Sequence, residues 1–382
     1  MEKIRRYDMD WLRVIVFGLL IFYHVGMFFV PWGWHIRNNV IVGDLRWPMV
    51  FVNQWRLPIL FVISGMGTAF ALAYRTGGQF ILERYLRLAI PLTVGMLAII
   101  PPQVYFERIA DGDFIGSYLA FWAGPAFEGI YPEGNFSWHH LWFLPYLFVY
   151  SLILTPVFLW IRKRPNGSFL EGWRKRLSKQ PLAIYYFVIP LFLYESMLEP
   201  FFNVTHNLVW DWFNFISSLT LFFYGFFLIS IKEVFWKVVD QIKRKTLLIG
   251  AVSFALLAFR WLFIEDTIVV HFVEAFIKVV NLWSWIVTIF GYAAVYLNKP
   301  SKLLSYCNEA VYPFYILHQT ITITIGYYLM DLEWSVSLKF LIMVVGTFGV
   351  SWILYEVIRR VIILRPLFGL KVRKNSLNTD RS

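Results

Sequence analysis

Long runs that are nearly free of charge constrain this chain more than any other feature. Ten stretches read as helices able to cross a bilayer, near residues 11–31, 47–74, 87–102, 140–161, 182–198, 210–231, 246–263, 271–297, 310–330 and 335–358. A helix needs roughly 20 predominantly apolar residues to traverse the hydrocarbon core, and it satisfies its own backbone there. The sequence therefore predicts an all-α, polytopic membrane helix bundle with about ten transmembrane helices. Composition agrees, with 15% charged residues and 59% hydrophobic, where a soluble domain carries roughly a quarter charged. The first run is followed by Pro31 and aromatics rather than a small-residue cleavage site, so it is expected to remain as a span.

The net charge of +11 raises the possibility of nucleic acid, but its distribution argues against it. Segments 1–10, 75–87, 162–181, 232–245, 298–309 and 356–382 hold 27 of the 35 Lys and Arg. The intervening loops 32–46, 103–139, 199–209, 264–270 and 331–334 hold three, Arg37, Arg46 and Arg108. The positive-inside rule then places both termini in the cytoplasm. The basic excess is a topology signal with a secondary attraction to anionic lipid; the lipid bilayer is the expected partner, and nucleic acid is not. The single cysteine, Cys307, excludes an internal disulfide and a cysteine metal cluster. One membrane domain is expected over 1–366, followed by a polar cytoplasmic tail, 367–382. Within the long outer loop, "DFIGSYLAFWAGPAF" reads as an interfacial or re-entrant piece, not a full span.

Ionisable side chains inside membrane spans are costly and mark function. The useful set here is short: Asp10, Arg13 and His24 on the first span, Arg56 on the second, Arg84 and Arg87 at the entry to the third. His139 and His140 open the fourth, and Glu309 and His318 lie on the ninth. Arg13 and His24 are eleven residues apart, which on a helix returns to within about 20° of the same face after a rise of about 16 Å. Each has a plainer reading. Arg84 and Arg87 suit a headgroup anchor, Asp10 a helix cap, and His318 a neutral core imidazole.

The histidines show no metal-ligand spacing, and no metal is expected. There is no G-x-S-x-G elbow, phosphate-binding glycine loop or paired-carboxylate signature. Imidazoles titrate near neutrality and suit general base work, and paired arginines suit a phosphorylated ligand. The residues alone leave two functions open, a membrane transferase and a secondary transporter for an anionic solute. No internal repeat of the kind transporters often carry is evident.

Five elements in order carry a resemblance. "DWLRVIVFGLLIFYH" holds an R-x10-H pattern at Arg13 and His24; "RLPILFVISGMG" follows at Arg56; "ERYLRLAIPL" holds R-x-x-R at Arg84 and Arg87. "HHLWFLPYLFVY" has His140 as its matching histidine, and "VYPFYILHQ" ends a Tyr-x-x-His element at His318. The chain resembles the acyltransferase family 3 integral membrane proteins, and within them the glucan biosynthesis protein C-like branch. That resemblance implies an O-acyltransferase in a bacterial inner (plasma) membrane. It would move an acetyl or succinyl group from cytosolic acyl-CoA (acetyl-CoA or succinyl-CoA) to a hydroxyl of an extracytoplasmic carbohydrate. Acyl-CoA is a donor substrate, not a resident cofactor. His24 is the implied base, with Arg13, Asp10, His140 and His318 beside it. Arg84, Arg87 and Arg13 are implied at the nucleotide end of the donor. Substrate contacts fall to Arg56, Trp138, Trp142 and Glu309, with the oxyanion donor open among Arg56, His140 and Trp142. His35, in the first outer loop, is expected to contribute little.

Overall fold

A computed structural model describes residues 6–371; residues 1–5 and 372–382, most of the expected tail, lie outside the described residues. The described residues are predominantly helical, with longer irregular connections at 28–42, 112–138 and 198–211 and one isolated bridge between Ile130 and Phe136. The main helices are α1 (Tyr7–Met27), α2 (Arg46–Asn53), α3 (Arg56–Leu72), α4 (Gly77–Asp111) and α5 (His139–Arg162). Then follow α6 (Ser168–Lys179), α7 (Pro181–Met197), α8 (Trp212–Ser230), α9 (Lys232–Phe263), α10 (Ile268–Tyr296), α11 (Lys302–Leu329) and α12 (Val336–Arg360).

Among the described residues, eight segments are long and apolar enough to cross a membrane. The two remaining expected spans are also helical but fall outside that set, for different reasons. Pro181–Met197 is apolar but short. Lys302–Leu329 has ample length at 28 residues, but its hydropathy is diluted by Asn308, Glu309, His318, Gln319, Thr320 and Thr322. Helices also run further than apolarity alone indicates. α9 begins at Lys232, taking in a stretch expected as a basic loop, and α4 continues to Asp111, so Glu107 is a buried helical residue and not an outer-loop acid. The aromatic piece after α4 holds only a five-residue helix, Tyr118–Trp122, with the Trp122 indole N–H donating to Leu97 O at 2.9 Å. This agrees with its reading as something less than a span.

The chain forms two compact units. One comprises the chain up to Val16 with Trp47–Ile81 and Val149–Leu304. Its helices α3 and α8 approach so closely that a Cβ on Gly65 would overlap the Phe222 carbonyl oxygen, and one on Gly225 would overlap the Val62 carbonyl. Without a hydrophobic drive between helices in lipid, such small-residue contacts are what let backbones pack. Aromatic stacking adds to the same seam, with the Phe158 and Phe226 rings parallel at 3.9 Å.

The other unit comprises Phe17–Arg46, Leu82–Phe148 and Ser305 onward. Its apolar core joins Val25, Phe28, Phe29 and Ile36 to Ile323, Leu329 and Met343. Lys339, fully buried on α12, ties the loop after α1 to this core. Its ammonium donates to Asn38 Oδ1 at 2.7 Å, Asn39 Oδ1 at 2.9 Å and Met330 O at 3.3 Å. α4 is not uniform. It contains π-helical turns at Tyr85–Ala89 and Gly95–Ile99, on either side of Pro91. Proline removes a backbone donor and disturbs the helical ladder, and such π turns are frequent at functional sites.

Candidate active site

Two histidines 294 residues apart meet in the second unit. His24, on α1, and His318, on α11, lie side by side, nearly coplanar, with ring planes within 6° and centroids 5.0 Å apart. His24 Nδ1 and His318 Nε2 are 2.8 Å apart. The direction of that bond follows from its surroundings. His318 Nδ1 faces the carbonyl oxygens of Tyr315 at 2.8 Å and Phe314 at 3.2 Å, which can only accept, so this nitrogen carries the proton. Neutral His318 then presents a lone pair at Nε2 and accepts from His24 Nδ1–H. Neutral His24 therefore holds its own lone pair on Nε2. These backbone carbonyls thus assign both tautomers and put the outward lone pair of the two rings on His24 Nε2.

His140 stands edge-on to His318 at 5.2 Å. Its Nε2–H donates to Ile316 O at 3.1 Å, its Nδ1 accepts from the Gln103 amide at 3.4 Å, and its carbonyl accepts from the Tyr315 hydroxyl at 2.6 Å. With its only N–H engaged, His140 has no proton to offer an oxyanion; it holds the α5 end against α11. Polar contacts continue from there. Gln103 also donates to Thr320 Oγ1 at 2.6 Å, and Thr320 donates to Ile99 O at 2.6 Å, at the second π turn. Gln319 donates to Gln103 Oε1 and to His35 Nε2, both at 3.1 Å. His35 Nδ1 is bonded to the Glu107 carboxylate, which also accepts from the Tyr131 hydroxyl at 3.0 Å. Burial, reinforced by Glu107, holds the Tyr131 phenol above its usual range, so it remains a donor. His139 caps this cluster, its ring meeting those of Tyr131 (4.6 Å) and His35 (4.7 Å) edge to face, at a φ of +37° that is costly for a residue with a Cβ.

In the same unit, Arg84 and Arg87 lie at and within the first π turn of α4, and Arg87 is 3.8 Å from Glu83. Glu309 on α11 accepts from Arg365 at 2.9 Å. Trp142 is buried against Tyr146, and Trp138 lies one turn before it, its carbonyl accepting from Leu141 N. In the first unit, Arg13 Nη1 lies 4.0 Å from Asp10 Oδ1 near the start of α1. Arg56 opens α3, 4% exposed, and donates to Asn53 at 3.3 Å. The bundle thus brings His24, His140 and His318 together within one unit, whereas Arg56 belongs to the other. α1 is one continuous helix from Tyr7 to Met27, so Arg13 and His24 do share it.

Several residues of this architecture escape a sequence reading. Gln103 and Gln319 do not ionise and carry no signal in a single sequence. Lys339 carries the same signal as His24, an ionisable group in an apolar span, and the rule that finds one finds the other. The same holds for Glu195, Arg260, Glu274 and Lys278 in the first unit, which neutralise one another. Glu274 lies 2.5 Å from Arg260 and 3.2 Å from Lys278, and Lys278 lies 3.4 Å from Glu195.

A sequence profile for acyltransferase family 3, described as an acyltransferase domain, matches residues 6–356. The chain belongs to that family. The match takes in every candidate residue from Asp10 to His318. This acyltransferase is also similar to the "Glucans biosynthesis protein C" of Salmonella schwarzengrund (strain CVM19633), at 24% identity over 385 residues, covering 96% of this chain and 95% of the relative. The proteins of the same name from Salmonella heidelberg (strain SL476) and Salmonella agona (strain SL483) match with the same identity and coverage. No solved structure matches the chain. Of the two functions left open by the residues alone, the transporter gives way to a membrane-embedded acyltransferase.

Proposed function

We propose that this acyltransferase moves an acetyl or succinyl group from cytosolic acyl-CoA to a hydroxyl of an extracytoplasmic carbohydrate. It would do so in the inner membrane of a bacterium, with both termini in the cytoplasm. The observation that carries the chemistry is the His24–His318 pair with its tautomers assigned. His24 Nε2 takes the proton of the acceptor hydroxyl as that oxygen attacks the thioester carbonyl carbon. The tetrahedral intermediate collapses by breaking the C–S bond, and the imidazolium returns the proton to the departing CoA sulfur. The ester and the thiol account for every atom. His318 acts through His24, since the acquired positive charge is shared across the 2.8 Å bond. His140 is a positioning group, its N–H being committed to Ile316.

Arg84 and Arg87 suit the phosphates of the donor, which bidentate guanidinium groups recognise well. Arg13, eleven residues before His24 on the same helix, remains a candidate for the nucleotide end of the donor. Glu309, Trp138, Trp142 and Arg56 remain candidates for substrate contact. The name of the Salmonella relatives favours a glucan-like acceptor.

Inside-out and right-side-out vesicles test the reading, with acetyl-CoA or succinyl-CoA supplied at the cytoplasmic face in both. A membrane-impermeant glucan is expected to be acylated only from the extracytoplasmic side. Acylation solely from the cytoplasmic side, or none with any acyl-CoA, would overturn it.

A further inference from the structure

The chain does not stop at α12. Residues 361–371 turn back over the end of the second unit, with a short helix at Leu364–Leu367 that packs against the Ile90–Val94 turn of α4. Phe368 and Leu370 are each only 8% exposed, so this strap is packed and does not merely trail. Arg365 pins it. Its guanidinium, 4% exposed, donates to Arg359 O at 2.7 Å, Lys371 O at 2.8 Å and Glu309 Oε1 at 2.9 Å. Three acceptors from three parts of the chain thus converge on one buried cation, and removing a partner from such an arrangement is costly.

Next to this pin, Gly369 adopts φ +69° and lies flat against the ring of Tyr312; a Cβ there would overlap that ring. Only glycine meets both demands, the left-handed backbone and the close approach. Tyr312 in turn donates its hydroxyl to Arg87 O at 2.7 Å. That carbonyl belongs to the π turn Tyr85–Ala89, where the α-helical ladder is interrupted. The hydroxyl is therefore a tether on the turn that carries Arg84 and Arg87.

We propose that the C-terminal strap is a positioning element for the donor site, acting from Arg365 and Gly369 through Tyr312 to set the π turn that presents Arg84 and Arg87 to acyl-CoA. This rests on the reading of those arginines as the donor's phosphate contacts. Neither Tyr312 nor Arg365 touches the reacting atoms; their effect is on where the guanidinium groups stand.

The test separates donor affinity from turnover in the full-length enzyme. Tyr312→Phe keeps the ring and removes one hydroxyl, and a lost hydrogen bond corresponds to a rise of about 2- to 10-fold in KM for acyl-CoA. Gly369→Ala, which displaces the ring, is expected to act in the same direction and more strongly. In both, kcat at saturating donor and KM for the glucan stay within about twofold of the parent enzyme, a split that general loss of folded protein would not produce. Arg87→Ala serves as the reference for a damaged donor site. A raised donor KM in Arg87→Ala with none in Tyr312→Phe and Gly369→Ala would overturn the strap's role. An unchanged donor KM in Arg87→Ala itself would remove the donor reading, and the strap's role with it.

Discussion

At the scale of single residues, His24 and His318 are not interchangeable, because a backbone carbonyl takes one of their four nitrogens. His318 Nδ1–H is spent on Tyr315, which puts the outward lone pair of the two rings on His24 Nε2, the atom proposed as the base. His24→Ala should lower turnover by roughly 10²–10⁴-fold, the usual worth of a general base. His318→Ala should cost less and should shift the pH dependence of kcat, because the remaining imidazole loses its orienting acceptor. A His24→Ala enzyme retaining more than about a tenth of parent turnover would point to another base. His35 reads differently in the structure than in the sequence. The sequence places it in the first outer loop with little to contribute; in the structure it is bonded to Glu107 and Gln319 and only 11% exposed. Away from the site, burial pushes His206 down to about 4, and its φ of +58° is one that asparagine tolerates. An unfolded chain binds that proton near pH 6.5, so stability present above pH 6.5 should be lost as the pH falls through 4. Melting curves in detergent between pH 7 and pH 4 should show this acid limb, and His206→Asn should flatten it.

At the scale of elements, the spans are legible because hydropathy reports what lipid demands of a helix, and α1, α5, α8 and α10 fall close to their expected bounds. The interruptions are not legible. Nothing in "LRLAIPLTVGMLAII" except Pro91 announces two π turns, since an extra residue in a helical turn is paid in backbone geometry that side-chain type does not encode. α11 is legible as a span at 310–330 even though the polar residues that build the site are the ones that dilute its hydropathy. The same reasoning explains why His24, His140 and His318 were readable while Gln103 and Gln319, which bond around them, were not. Helix packing supports a paired prediction. Gly65→Ala places a methyl group against the Phe222 carbonyl and should destabilise by about 1–3 kcal/mol, the usual cost of overpacking. On α1, Gly18 has nothing within 4 Å of a built Cβ, so Gly18→Ala should be neutral or stabilising by up to about 1 kcal/mol through helix propensity. Thermal denaturation of the two variants side by side checks the difference; equal shifts would mean that the α3–α8 seam yields.

At the scale of the whole molecule, the charge pattern makes a prediction about sidedness. The basic segment 162–181 should face the cytoplasm and the segment 103–139 the exterior. Single cysteines at Ser168 and Ser117, in a Cys307→Ser background, should differ in intact cells, with an impermeant thiol reagent reaching only position 117. Labelling at position 168 would reverse the map. The His24–His318 bond also has a meaning in time. A ribosome adding about 5–20 residues per second needs about 15–60 s to travel the 294 residues between these partners. The first helix must therefore enter the bilayer carrying an imidazole whose acceptor has not yet been made. Every nascent chain passes through that interval, so fragments ending before His318 should be taken by quality-control proteases much faster than the full chain, whatever their hydrophobicity.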